Sequence, residues 1–148
     1  MSMAMAAGKV KVCVTRRFPF AAGRVFDAWL DADNAGRWFF ATPAGQMVAC
    51  RIDARVGGRF TMTDRRDGVD VEHVGEYLEL ERPRRIVFRF GVPQFSPGMD
   101  RVEIDIVPLD DGGCELTLTH WMDAAWAEHS GRAQDGWAKM LGMLEGAL

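Results

Sequence analysis

The fold is decided by the C-terminal stretch QDGWAKMLGML, residues 134–144. Its large apolar side chains recur at the helical spacing i, i+3, i+4, i+7 and i+11, as Trp137, Met140, Leu141, Leu144 and Leu148. This spacing predicts one long amphipathic helix at the end of the chain. Strand-like segments precede it, so the sequence predicts a helix that lies along a sheet.

The segments before this helix have the two-residue periodicity of half-buried strands. Turn-forming pairs such as Gly57-Gly58 and Asp67-Gly68 separate them at short intervals, which favours an antiparallel meander. Strands are predicted at about 9–17, 48–54, 59–64, 69–81, 85–90, 102–106 and 116–122.

Two short helices are predicted between the first and second strands, at about 22–30 and 34–39, with Asp31 and Asp33 as candidate N-caps. The element order predicts a single α+β domain over residues 9–148. In this domain a curved antiparallel sheet of about six or seven strands wraps round the C-terminal helix, which covers its apolar face. Residues 1–8 contain small residues and no convincing apolar core, and they are predicted to form a disordered tail.

Composition narrows the class of protein. A chain of 148 residues fits one domain, and a domain of this size buries about 70% of the surface that its unfolded chain exposes. No apolar run approaches the roughly 20 residues that cross a bilayer, which excludes an integral membrane protein. The first residues lack the basic start and apolar core of a signal peptide, so a cytoplasmic location is expected.

The cysteines, the histidines and the net charge argue against disulfides, a metal site and a nucleic-acid partner. Cys13, Cys50 and Cys114 are widely spaced and are predicted to be free thiols in a reducing compartment. His73, His120 and His129 are also far apart, so no metal site is predicted. The net charge of −3 argues against a nucleic-acid partner.

Seven short segments along this order of elements carry a recognisable set of residues. They are 20–29 (FAAGRVFDAW), 37–39 (RWF), 56–60 (VGGRF), 75–80 (GEYLEL), 83–88 (PRRIVF), 116–120 (LTLTH) and 136–137 (GW). In these segments the chain resembles the bacterial branch of the family named after the activator of the heat-shock-protein-90 ATPase. That family belongs to the START/Bet v 1-like helix-grip (SRPBCC) superfamily, which also holds polyketide cyclases and lipid-transfer domains.

The resemblance implies a deep cavity between the curved sheet and the C-terminal helix, open near the two short helices. Such a cavity would bind a small hydrophobic or aromatic molecule and would need no cofactor. By the alternation of this sequence, its walls are predicted to be Trp29, Trp38, Phe60, Met62, Leu78, Phe88, Phe90, Ile104, Leu118, His120, Trp137, Met140, Leu141 and Leu144.

Two polar residues are candidates for orienting a ligand or for acid–base chemistry. His120 shares a strand face with Leu116 and Leu118, and an imidazole there can move a proton near neutral pH. Glu76 shares parity with Leu78, and burial would raise the pKa of its carboxyl group. The alternatives are that His120 is a hydrogen-bonded structural histidine and that a bulge near Gly75 turns Glu76 outward.

Three functions remain open from the sequence. The leading hypothesis is binding of a small hydrophobic or aromatic ligand. The second is a cofactor-independent enzyme of the cyclase, dehydratase or hydrolase type, which would use His120 and Glu76 as acid and base. The third is a chaperone-linked interaction module, which would have a filled interior and an exposed apolar patch. A homodimer is compatible with each of them.

Overall fold

The computed structural model describes residues 5–6 and 9–148. The strands are β1 (Met5–Ala6), β2 (Lys9–Phe18), β3 (Gln46–Ile52), β4 (Arg59–Arg66), β5 (Val69–Glu81), β6 (Arg85–Gly91), β7 (Asp100–Pro108) and β8 (Cys114–Asp123). The helices are α1 (Ala22–Ala28), α2 (Ala32–Ala35) and α3 (Ser130–Ala147), with a 3₁₀ helix at Ala124–His129 before α3. The predicted disordered tail falls mostly on residues outside this description and stays a prediction there, whereas β1 is a short strand within it.

The strands form one antiparallel sheet in the order β1-β2-β8-β7-β6-β5-β4-β3. Neighbours from β3 to β8 follow one another along the chain, while β2 pairs with β8, from Lys9 opposite Asp123 to Phe18 opposite Cys114. The chain reaches the far edge of the sheet through α1 and α2. The curved antiparallel sheet, the two short early helices and the long C-terminal helix confirm the predicted α+β helix-grip fold.

The alternation of apolar residues builds the core between the sheet and α3. Val102 and Ile104 on β7 and Leu118 on β8 are fully buried, and Leu141 and Leu144 of α3 are fully buried as well. α3 packs against β2, at the side of the sheet where β2 pairs with β8. Among the described helices, none is long and apolar enough to cross a membrane.

The turn between β4 and β5 shows why the hairpins could be recognised in the sequence. Asp67 has a φ of 51° and Gly68 a φ of 78°, so both central residues are left-handed. Asp-Gly is a preferred pair for a two-residue hairpin turn of this kind, because its backbone twist matches that of the flanking strands. This turn therefore fixes the register of β4 against β5, with Arg66 opposite Val69.

A β-bulge in β5 corrects one predicted orientation. Tyr77 pairs with Phe88, but the next paired residue is Glu79, opposite Val87, so Leu78 is the extra residue of the bulge. Tyr77 is 1% exposed and points into the core with Phe88. Leu78 was predicted to face the interior, and this prediction is wrong because the inward side chains before the bulge are the odd-numbered ones.

Candidate ligand pocket between the sheet and α3

The two short helices bring a cluster of aromatic rings onto the sheet. Trp29 follows α1, and Trp38 and Phe39 follow α2, each no more than 1% exposed. The rings of Trp29 and Trp38 meet edge to face, with centroids 4.5 Å apart. The Phe39 ring lies 5.5 Å from Phe60 and 5.7 Å from Phe88. This cluster fills the interior beneath α1 and α2.

Most of the predicted cavity walls are therefore core residues. Nine of the fourteen are 0–1% exposed and pack against one another in one hydrophobic cluster. A deep cavity that opens beside the short helices is thus not what this region contains, because aromatic side chains occupy the space. The nine residues are Trp29, Trp38, Phe60, Met62, Phe88, Ile104, Leu118, Leu141 and Leu144.

A pocket of about 400 Å³ lies farther along, between the sheet and α3. Four predicted wall residues line it, namely Phe90, His120, Trp137 and Met140. The rest of its lining was not among the predicted wall residues: Phe40, Ala41, Thr42, Pro43, Arg66, His73, Ala133, Gly136, Lys139 and Met143. The sheet supplies one wall, α3 the second, and residues 40–43 the third.

Phe40 shapes the third wall and has an unusual backbone. It is 4% exposed and has a φ of 55°, which is uncommon for a bulky residue and costs on the order of 1–3 kcal/mol. Its ring stacks on His73 at 4.3 Å between centroids, and its N–H donates to Met140 Sδ at 3.3 Å. A thioether is a weak acceptor, so the N–H of Phe40 is only weakly bonded.

His73 is a neutral polar group in the wall. The ring is 7% exposed, and its Nδ1 has no hydrogen-bond partner among the described residues. Burial, together with the nearby positive charge of Arg66, lowers the pKa of His73 from 6.5 to about 4. At neutral pH the imidazole therefore carries no charge.

His120 is fixed by two neighbours. Trp137 Nε1 lies 2.9 Å from His120 Nδ1, and an indole N–H can only donate, so Nδ1 accepts and has no proton. His120 Nε2 then carries the proton and donates it to Asp100 Oδ2 at 2.9 Å. With both nitrogens engaged, His120 holds the indole of Trp137 against the pocket.

Arg66 stands at the mouth of the pocket and is also held in place. Its Nε donates to Asp64 Oδ2 at 2.8 Å and its Nη2 to the Phe40 carbonyl oxygen at 3.1 Å. Thr42 Oγ1 donates to the same Asp64 oxygen at 2.8 Å. Asp64 is 1% exposed and does not line the pocket. Through these hydrogen bonds it anchors Arg66 and residues 40–42.

Glu76 lies on the other side of the sheet. Arg89 donates to Glu76 Oε1 from Nε at 3.0 Å and from Nη2 at 2.7 Å. This ion pair stands on the outer face, because the inward residues of β5 near this point are Gly75 and Tyr77. The structure therefore does not bring Glu76 and His120 together; of the two orientations left open for Glu76, the inward one is wrong and the outward one is present.

Two other hollows are less suited to an apolar ligand. The largest, about 720 Å³, is an open groove beside α1 and α2 that contains the exposed Asp27–Arg82 ion pair. Another, of about 270 Å³, lies beside the loop after β6 and is lined by Phe95, Met99 and Trp126, all exposed. No group of three or more His, Cys, Asp or Glu residues that could hold a metal ion occurs in the part of the chain that the structure describes.

Solved structures with this fold come from several bacteria. A protein from Chromobacterium violaceum is 24% identical, with a TM-score of 0.82 over 92% of this chain and 94% of that one. A protein from Nitrosomonas europaea is 18% identical, with a TM-score of 0.80 over 97% and 96%. CalU16 from Micromonospora echinospora is 22% identical, with a TM-score of 0.71 over 94% and 76%. At these identities the likeness shows the fold.

The sequence gives the family. No curated protein is significantly similar to this chain in sequence. The profile of the family described as Activator of Hsp90 ATPase homolog 1-like protein matches residues 19–148, which is nearly the whole domain. The chain therefore belongs to the family of Activator of Hsp90 ATPase homolog 1-like proteins.

Proposed function

We propose that this protein binds a small hydrophobic or aromatic ligand in the pocket between the sheet and α3. The observation that carries the proposal is the pocket itself: about 400 Å³, with Phe40, Phe90, Trp137, Met140 and Met143 in its walls. Pockets for small molecules are concave and mostly apolar, with a few polar groups that orient the ligand. Burial of the ligand's apolar surface would supply the affinity.

The pocket can adjust to its occupant. Met140 and Met143 are flexible and polarizable, and methionines fill irregular space well. The backbone of Phe40 is strained, and its N–H is bonded only to Met140 Sδ among the described residues. A ligand that displaced Met140 would cost little hydrogen-bond energy, since sulfur is a weak acceptor.

The acid–base alternative loses its proposed pair. Glu76 is bound to Arg89 on the outer face, and both nitrogens of His120 are engaged by Trp137 and Asp100. General acid–base catalysis requires groups within hydrogen-bond reach of one substrate. Binding is thus the function that the geometry supports better, and the cytoplasmic location and the absence of a cofactor stay predictions.

An interaction role is the second candidate, favoured by one observation. Phe95, Met99 and Trp126 are 67%, 39% and 46% exposed and line the same 270 Å³ hollow. Exposed apolar clusters of this kind often mark protein contacts. The candidate predicts micromolar binding to the middle domain of heat shock protein 90 that the double substitution Phe95→Ser and Trp126→Ser abolishes; failure to bind at high micromolar concentration would remove this partner.

A thermal-shift and tryptophan-quenching screen tests the leading proposal. Fatty acids, flavonoids, polyketide-like aromatics and steroids cover the relevant shapes, and a ligand specific to the folded state raises the melting temperature by mass action. Trp137 lines the pocket and Trp126 does not, so Trp137→Phe should remove most of the quenching and Trp126→Phe should keep it. No saturable response in any class would contradict the proposal.

A further inference from the structure

The pocket differs from four other hollows among the described residues in having no carboxylate side chain in its lining. Its lining contains Arg66 and Lys139 and no Asp or Glu, although the chain has 21 acidic and 18 basic residues. Each of those four includes, beside its basic side chains, at least one carboxylate side chain. These are Asp27 and Asp31, Asp100 and Asp123, Glu103, and Glu76, in hollows of about 720, 270, 350 and 290 Å³.

The two cations stand at the mouth and not in the depth of the pocket. The side chain of Arg66 is 36% exposed and is oriented by Asp64 and by the Phe40 carbonyl oxygen, while its Nη1 donates to no described residue. Lys139 is exposed on α3 and forms no ion pair with a described residue. Asp64 offsets the charge of Arg66, so Lys139 leaves the mouth with a net positive charge.

The deeper part of the pocket offers no charge. Phe90, Trp137 and Met140 form its walls, and both nitrogens of His120 are engaged. Near the mouth, the Phe40 N–H is bonded only to the weak acceptor Met140 Sδ. A stronger acceptor on a ligand could take over this N–H, and a carboxylate oxygen is such an acceptor.

We infer that the natural ligand is a small monocarboxylate with an apolar body. This inference rests on the proposed ligand-binding function and adds the chemical class. The apolar body lies against Phe90, Trp137 and Met140, and the carboxylate faces Arg66 and Lys139 at the mouth. A volume of about 400 Å³ is near the lower end of the range for ligand pockets, which fits two fused rings or a medium-length chain.

Matched acids and amides test the inference, because they share the apolar body and differ in charge. The pairs are naphthalene-2-carboxylate with naphthalene-2-carboxamide, and decanoate with decanamide, measured by calorimetry at low ionic strength. We expect the acid of at least one pair to bind tenfold or more tightly than its amide, about 1.4 kcal/mol. The ratio should shrink as salt rises, because the charges at the mouth are exposed to solvent. The pair with the larger ratio distinguishes an aromatic acid from a fatty acid.

Three substitutions test whether the charges at the mouth cause the difference in affinity between acid and amide. Lys139→Gln and Arg66→Gln should each reduce the acid-to-amide affinity ratio severalfold. Arg66→Gln also removes contacts with Asp64 and Phe40, so Lys139→Gln is the variant that leaves the described packing intact. Arg65→Gln is the matched control: Arg65 precedes Arg66, is exposed, and pairs with Asp70 outside the pocket. It should keep the wild-type ratio.

The outcomes separate this inference from the proposed function. If acids and amides bind equally well, or if the ratio survives both Lys139→Gln and Arg66→Gln, the inference is overturned and hydrophobic binding stands. If none of the four compounds binds below millimolar concentration, the inference is overturned, and the proposed function fails with it only if the wider screen also gives no saturable response. A ratio that falls in Arg65→Gln as much as in Lys139→Gln would overturn the assignment of the carboxylate to this mouth.

Discussion

Trp137, His120 and Asp100 form a hydrogen-bonded chain that decides what His120 can do. The alternation of β8 predicts that His120 points inward, and the structure places it there, 5% exposed. Its partners were beyond sequence reasoning, because Asp100 comes from the neighbouring strand and Trp137 from α3. An inward histidine that looked free for chemistry is instead the support of a pocket wall.

Glu76 and Leu78 show the limit of strand parity. Alternation placed both on the inner face with Leu80, and Leu80 does pack against the core. The bulge at Leu78 shifts the phase, so that Tyr77 points inward before it and Leu80 after it. A bulge leaves no certain mark in a sequence such as GEYLEL, so the sequence left a bulge near Gly75 open as an alternative and could not place it at Leu78.

Tyr77 gives a prediction about stability. Its hydroxyl group is buried without a hydrogen-bond partner in the described residues, and burial raises the pKa of Tyr77 well above its usual value. An unsatisfied buried hydroxyl costs about 1–3 kcal/mol. We therefore expect Tyr77→Phe to keep or raise the free energy of unfolding, by up to about 1 kcal/mol, in urea denaturation. A loss of stability would mean that a buried water or another group binds the hydroxyl.

His73 gives a prediction about pH. Its pKa is about 4 in the folded protein and near 6.5 when the chain is unfolded, so the unfolded state takes up the proton first. Stability should therefore fall as pH drops from about 6.5 to about 4, by roughly 3 kcal/mol for this group. His73→Phe should flatten that part of the stability profile. His129→Phe, at a side chain 38% exposed, should leave it unchanged; equal profiles for wild type and His73→Phe would contradict the buried neutral histidine.

At the scale of the elements, α2 and the turn after it position the pocket wall formed by residues 40–43. The sequence predicted a short helix here with Asp31 and Asp33 as candidate caps, and Asp31 is the N-cap of α2, accepting from the Asp33 N–H at 3.0 Å. The helix was predicted to end at Phe39 but ends at Ala35, and Phe40 has a positive φ. Phe40 stacks on His73, its N–H contacts Met140 and its carbonyl oxygen accepts from Arg66, and none of these three residues is close in sequence.

Loss of the α2 cap should affect stability and binding together. Asp31→Ala removes the bond to the Asp33 N–H and the bond from Asn34 Nδ2 at 2.7 Å. N-cap substitutions of this kind cost about 0.5–2 kcal/mol. We expect a lower melting temperature and weaker ligand binding, measured on the same samples. Asp33→Ala, which leaves the cap carboxylate in place, should change both less.

Two glycines should respond to alanine with opposite signs. Gly68 has a φ of 78° in the β4–β5 turn, a conformation that an alanine adopts only with strain, whereas Gly142 lies inside α3 with room for a Cβ. Gly68→Ala should lower the free energy of unfolding by about 1 kcal/mol, and Gly142→Ala should raise it by about 0.5–1 kcal/mol. Two changes of the same sign in chemical denaturation would contradict the assigned backbone at one of these sites.

At the scale of the whole molecule, the order and type of the elements were predictable from periodicity, turn pairs and family resemblance. The position of the open space inside the domain was not predictable from these features. Inward-facing residues can line a void or fill it, and alternation is the same in both cases. Here Trp29, Trp38 and Phe39 close the region beneath the short helices. The pocket stays open where α3 carries the small residues Ala133 and Gly136 opposite the sheet.

Filling the pocket from α3 tests the ligand-binding account most directly. Gly136 lines the pocket and Gly131 does not, and at both positions a Cβ meets no atom within 4 Å. Gly136→Leu should weaken binding of the tightest compound among the acids and amides at least tenfold, without lowering the melting temperature of the free protein. Gly131→Leu should bind as the wild type does. Calorimetric affinity that is unchanged in Gly136→Leu would show that the ligand does not occupy this pocket.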